Sequence, residues 1–407
     1  MVVVNLLPGA NLDMTSKTRE QLKKTFSYGF NLLALLLMGY SCLRIGTAQL
    51  GIDYADYYAA GRMVLEGDLD RVYDHLAHHA VLERLFGEIP YLLAWIYPPT
   101  FLLPIVPLSL LPFQLSYPIW MVITFIPAAL SVFYLADRNK FAPLCYLLFP
   151  GTFLNIRWGQ NGFLTAALIG FGIYFVESSP LLAGLMFGLL TFKPQMALVP
   201  FAILLLTKKW KALGWSVFFA FALALLSAVV FGIETWVSFF VSSPGNAARL
   251  AESWINTNWG IPTLSTALRC LGLSGIALYC SLAVVAILSL YACVRVWRAT
   301  RVFSLRAGAM VICLFLAFPY VSLYDFAIFG VPMTLLFFDW QAKREYAFHP
   351  ALLCLLWLLP IVTLFIFIKT RVQLCPFVLM GYLAAILYRA EKQGKKERMQ
   401  IVDLSVT

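Results

Sequence analysis

The chain has 407 residues, 61% of them hydrophobic and 12% charged, about half the charged share of a soluble domain. That balance excludes a soluble globular enzyme. The net charge of +10, carried in short loops and at the ends, reads as the positive-inside bias of a membrane protein and not as nucleic-acid binding.

Runs of about 20 apolar residues recur along the whole length, and no short segments alternate with period two. The expected fold class is therefore an all-α polytopic membrane protein in a lipid bilayer, with a β-barrel excluded. The cysteines, from Cys42 to Cys375, contain no Cys-x-x-Cys pair and read as small buried hydrophobes.

Residues 1–25 form a cytoplasmic tail, in which Lys17 to Lys24 precede an uncleaved first membrane helix, Phe26 to Thr47. A first outer loop, 48–95, follows. It holds eight carboxylates (Asp53, Asp56, Glu66, Asp68, Asp70, Asp74, Glu83, Glu88) against three arginines (Arg62, Arg71, Arg84), which places it outside. Asp53 to Val64 can form a helix with Asp53, Tyr57 and Gly61 on one face, stopped by Gly67-Asp68. A second helix, Asp70 to Phe86, sets Val72, Leu76, Ala80 and Leu82 or Leu85 on an apolar stripe. Both read as interfacial helices roofing a membrane cavity.

Apolar segments then run over 96–112, 115–136, 141–156, 162–178, 181–206 and 211–232. A second outer loop, 233–273, separates these from 274–297, 306–318, 326–340, 350–368 and 373–388. With the first helix they make about twelve transmembrane helices in one domain, 26–388, several shorter than a perpendicular crossing needs. Counting crossings puts Lys208-Lys209, Arg295 to Arg306, Lys343-Arg344 and the basic tail, 389–407, inside, so both termini are cytoplasmic. The same count puts Arg157 to Asn161 inside and Tyr320 to Asp325 outside; the short segments around 157–161 leave a re-entrant path open there.

Asp53 either carries chemistry or, following Gly51-Ile52, caps a helix. Lys193 lies within an apolar run, where an ionisable group is functional by default; as a binding residue it would meet a phosphate, and otherwise it snorkels beside Pro194. Asp325 either binds or caps the helix that follows. Arg249, Arg269, Asn256 and Asn258 are phosphate or acceptor ligands, or a solvated loop. His75, His78 and His79 share a helix with Glu83, but the adjacent pair splays by about 100° and no metal site is assigned. No Walker-type loop or haem-attachment motif is present, and no cofactor is implied.

Asp53-Tyr54, then Tyr57-Tyr58-Ala59-Ala60, with Gly67 and Tyr73-Asp74 following, resembles the signature loop of glycosyltransferase family 87. Tyr97-Pro98-Pro99, Gly159-Gln160-Asn161, Lys193-Pro194-Gln195 and Tyr324-Asp325 match in order, so the resemblance spans residues 50 to about 330. It implies the GT-C fold and inverting sugar transfer on the extracytoplasmic side of the plasma (inner) membrane. The donor would be a polyprenyl-phosphate-linked mannose or other hexose, and the acceptor an envelope glycan or glycolipid. By position Asp53 is the general base, with Asp56 second. Gln160 and Asn161 draw their functional reading from this resemblance; otherwise they pair with backbone freed at a helix break. Tyr57, Tyr58 and Tyr97 then suit sugar stacking, or an interfacial aromatic belt. Two rival readings are a transporter or lipid flippase using Lys193 and Asp325 as gating charges, and a non-catalytic membrane scaffold.

Overall fold

A computed structural model of the chain describes residues 51–89, 93–256 and 261–406; the first expected helix lies outside them. Regular structure is helical throughout, with no strand among the described residues. This follows from composition, because helices satisfy their backbone polar groups within the segment and so tolerate lipid.

The first part of the chain forms α1 (Ile52–Leu65), α2 (His75–Phe86), α3 (Leu102–Leu108), α4 (Phe113–Leu135), α5 (Ala142–Leu147), α6 (Pro150–Trp158) and α7 (Gly162–Phe175). It continues as α8 (Pro180–Leu189), α9 (Pro194–Leu206), α10 (Trp210–Phe231), α11 (Ile233–Asn256) and α12 (Leu264–Cys270). The last part comprises α13 (Gly275–Ala299), α14 (Phe303–Ala317), α15 (Phe326–Gln341), α16 (Pro350–Thr370) and α17 (Cys375–Val406). Among the described residues α4, α10, α13, α16 and the run Leu323–Gln341 are long and apolar enough to cross a membrane, and α7, α8, α9 and α14 are shorter apolar helices. The chain is an all-helical membrane protein.

Two segments differ in shape from the single apolar runs expected. The first is residues 96–112. Only Pro99–Leu108 is helical, about 15 Å of rise, because prolines at 98, 99, 104, 107 and 112 deny the segment backbone donors. Both of its ends are tied to α1: the Tyr97 hydroxyl lies 2.9 Å from that of Tyr57, and the Leu111 carbonyl accepts from the Tyr58 hydroxyl at 2.9 Å.

The segment 181–206 forms two short apolar helices, α8 and α9, in place of one. It breaks at the 3-10 turn Leu190–Phe192, and Pro194 holds Lys193 outside the helical region, at φ −127° and ψ 78°. The far ends of this hairpin meet through Glu177, which accepts from Lys209 at 2.5 Å and from Arg306 at 2.7 Å. Arg157 to Asn161 lie beside the first turn of α1, not at an opposite face from it: the Gly51 amide donates to the Arg157 carbonyl, and Gln160 reaches Asp53.

The first loop also differs from an amphipathic roof. α1 is buried on nearly all sides, with Tyr54, Tyr57, Ala59 and Ala60 fully enclosed. Gly61 allows its close approach to α3, since a Cβ there would fall 2.1 Å from Ser109 Oγ. α2 starts at His75, where Asp74 caps it by accepting from the amide of Leu76 at 2.9 Å. Leu76 is 69% exposed, and the buried face carries Ala77, His78 and Leu82.

Candidate active site

Two glycines bring the site together. Gly51 adopts the left-handed conformation, φ 75°, at the N-cap of α1, and its amide donates to the Arg157 carbonyl at 2.9 Å. Gly159 ends α6 in the same conformation, φ 75°, and a Cβ there would lie 2.6 Å from Tyr54 Cβ. Only glycine allows this approach without strain. Asn155 braces the turn, its Oδ1 accepting from the Gly162 amide at 2.9 Å. The chain leaving Gly159 therefore sets Gln160 against the first turn of α1.

Asp53 lies in that turn, and among the described residues its carboxyl makes no capping bond to the helix. Its Oδ2 accepts from Gln160 Nε2 at 2.8 Å. The Gln160 amide oxygen accepts from the Tyr57 hydroxyl, and from the Tyr97 hydroxyl at 3.3 Å. Asn161 Nδ2 donates to the Tyr57 hydroxyl at 2.9 Å. The Asn161 Oδ1 accepts from Lys193 Nζ at 3.4 Å, and Lys193 donates to Asp325 Oδ1 at 2.6 Å. Asp325 Oδ2 accepts the Ser322 amide at 2.9 Å, so this carboxylate both shapes its turn and faces the lysine. The outcome is a continuous polar chain from Asp53 to Asp325, drawn from five segments far apart in sequence.

Burial decides its electrostatics. Tyr57, Gln160, Asn161, Lys193 and Asp325 are all buried, whereas Asp53 keeps a partly exposed edge. Desolvation raises the Asp53 carboxyl from its ordinary 3.8 to about 7; the charges of Asp56 and Asp325 push the same way, while the Gln160 hydrogen bond and Lys193 oppose them. Burial also holds the Tyr57 and Tyr97 phenols above their ordinary value, so they act as neutral hydrogen-bonding groups. Tyr324, half-buried, stands close enough for the charges of Asp53 and Asp325 to act on it.

Other expected residues lie apart from this chain. Asp56 turns away, with Oδ1 2.7 Å from His78 Nε2. Tyr58 bonds the Leu111 carbonyl and packs edge-on against Phe113 at 5.5 Å. Arg249, on α11, reaches the His75 ring at 2.8 Å. Asn258 lies outside the described residues. His75, His78 and His79 thus face Arg249, Asp56 and Glu83 respectively, and among the described residues no group of three His, Cys, Asp or Glu side chains is placed to hold a metal. Sequence reasoning missed the Asp56–His78 contact, whose partners are 22 residues apart on different helices. It also missed Asn155, for which no local pattern gives a signal.

The family model of glycosyltransferase family 87 matches residues 95–319, more than half of the chain. The chain belongs to glycosyltransferase family 87. No curated protein matches it, and no solved structure does. The matched stretch contains Tyr97, Gln160, Asn161 and Lys193. Asp53 precedes it and Tyr324-Asp325 follow it, and the hydrogen bonds above join both to the matched part. As a member of family 87 the protein is a membrane glycosyltransferase.

Proposed function

We propose that this glycosyltransferase moves mannose or another hexose from a polyprenyl-phosphate donor to a hydroxyl of an envelope glycan or glycolipid, with inversion and with Asp53 as general base. The observation that carries the reading is the Asp53 carboxylate: oriented by Gln160, accessible along one edge, and poised at about 7. A carboxylate of that basicity accepts a proton from a sugar hydroxyl far better than an ordinary aspartate does. The acceptor oxygen attacks the anomeric carbon as Asp53 takes its proton, the bond to the lipid phosphate breaks, and the electron pair leaves with the phosphate. Lys193, the cation at the other end of the polar chain, offsets that developing charge in this reading. Asp325 holds the ammonium in place, and Tyr57 with Asn161 fixes the spacing between base and cation.

The reading includes a GT-C architecture of about a dozen crossings in the plasma (inner) membrane, and an extracytoplasmic site. The supporting pattern is charge. Lys209, Arg298 and Arg306 gather around Glu177 and the Leu206 carbonyl at the end of the bundle opposite Asp53. The positive-inside rule assigns such an end to the cytoplasm.

The test is transfer of labelled hexose from polyprenyl-phosphate mannose, or its glucose counterpart, by purified protein supplied with lipid extract as acceptor. Asp53→Asn is expected to lower the rate about 10²–10⁴-fold, the range for loss of a general base. Full transfer by the variant, or failure of the wild type to use either donor, would sink the reading.

A further inference from the structure

We propose that Asp56 and His78 are a positioning pair for Asp53: a buried carboxylate–imidazole contact that pins α1 to α2 and keeps one negative charge a single helical turn from the base. This rests on the reading of Asp53 as the base. Asp56 Oδ1 lies 2.7 Å from His78 Nε2, with the two residues 6% and 0% exposed. The contact sits beside an apolar cluster of Ile52, Ala55, Ala59 and Leu82, with Trp158 packed against it.

A carboxylate in such surroundings stays ionised only if a donor meets it. His78 is that donor. Its Nδ1 has no hydrogen-bond partner among the described residues. The neutral tautomer with hydrogen on Nε2 therefore fits best, leaving only a lone pair unpaired.

Residues three apart on a helix are surface neighbours, with Cβ atoms about 5–6 Å apart, so the Asp56 charge acts directly on Asp53. Among the described residues, Gln160, Lys193, Asp325, Tyr57, Tyr97 and Tyr324 also stand around Asp53. Around the pair, the ionisable neighbours on α2 are engaged elsewhere, His75 with Arg249 and His79 with Glu83 at 3.5 Å. A purely structural contact would change folding and leave the proton affinity of Asp53 untouched, so the two roles separate.

The experiment titrates the protonated Asp53 carboxyl by infrared difference spectroscopy on full-length protein in nanodiscs, the band being identified by its loss in Asp53→Asn. Asp56→Asn keeps an acceptor for His78 and removes only charge. It should lower the midpoint by about one pH unit, the size of a like charge at this range. His78→Leu strands Asp56 without a donor, which favours its neutral form, and should lower the midpoint similarly. His78→Gln restores a donor and should keep the wild-type midpoint. If His78→Leu does not fold, Asp56→Asn and His78→Gln still decide. An unmoved or raised midpoint in Asp56→Asn overturns the proposal. Transfer from polyprenyl-phosphate mannose retained in Asp53→Asn overturns the base assignment instead, and the infrared result stands apart from it.

Discussion

Replacing Asp53 by Asn should make the protein more stable at alkaline pH while removing its activity. The Asp53 carboxyl is raised from 3.8 to about 7, so the native state retains a proton that the unfolded chain gives up at lower pH. Its contribution to stability is fully present below about pH 4 and is lost as pH rises through 7. A shift of about three units corresponds to about 4 kcal/mol as a ceiling. Asp53 retains a partly exposed edge, and solvent screening there brings the expected gain to about 1–2 kcal/mol. Asn keeps an oxygen for Gln160 Nε2, so the network survives in the variant. The assay is unfolding of purified wild type and Asp53→Asn in the same detergent at pH 5 and pH 8. The variant should gain on the wild type between the two conditions. Equal stability at pH 8 would show that the native fold does not oppose ionisation of this carboxyl, and the argument from its basicity would fall with it.

Lys193→Met leaves Asp325 buried without its cation, which should cost about 3–5 kcal/mol; the double variant Lys193→Met, Asp325→Leu should recover most of it. A double-mutant cycle of unfolding energies measures this, and a single variant as stable as the wild type would refute the coupling. Gly159→Ala should destabilise by more than Gly67→Ala. Both positions have positive φ, 75° and 88°, but only at Gly159 does a new Cβ meet a neighbour, Tyr54 Cβ at 2.6 Å. Similar losses for the two would mean that the α1–α6 approach relaxes freely.

What was legible in the sequence was chemistry more than path. Asp53, Tyr57, Gln160, Asn161, Lys193 and Asp325 are six of the expected site residues, and they form one connected chain. Single-letter reading finds them because polar groups stand out against apolar runs. The course of the backbone between them was less legible. Hydropathy sees 96–112 and 181–206 as comparable apolar stretches, and cannot register that prolines shorten one while a turn at Lys193 folds the other back. The Asp56–His78 contact was hidden for a different reason, since pairing across helices depends on their packing and not on spacing within either one.

The Lys193–Asp325 contact joins residues 132 positions apart, and this separation governs when the site can exist. Synthesis proceeds from the N-terminus, so the ammonium is made and inserted while its carboxylate is still unborn. Six helices, α9 to α14, must be laid down before the pair can close. Lys193 lies in the turn between two short apolar helices and within neither of them. A nascent chain ending before Asp325 would thus carry Asp53 and the Gln160 turn but no anchored cation. Closure of the polar chain is deferred until the last part of the bundle arrives.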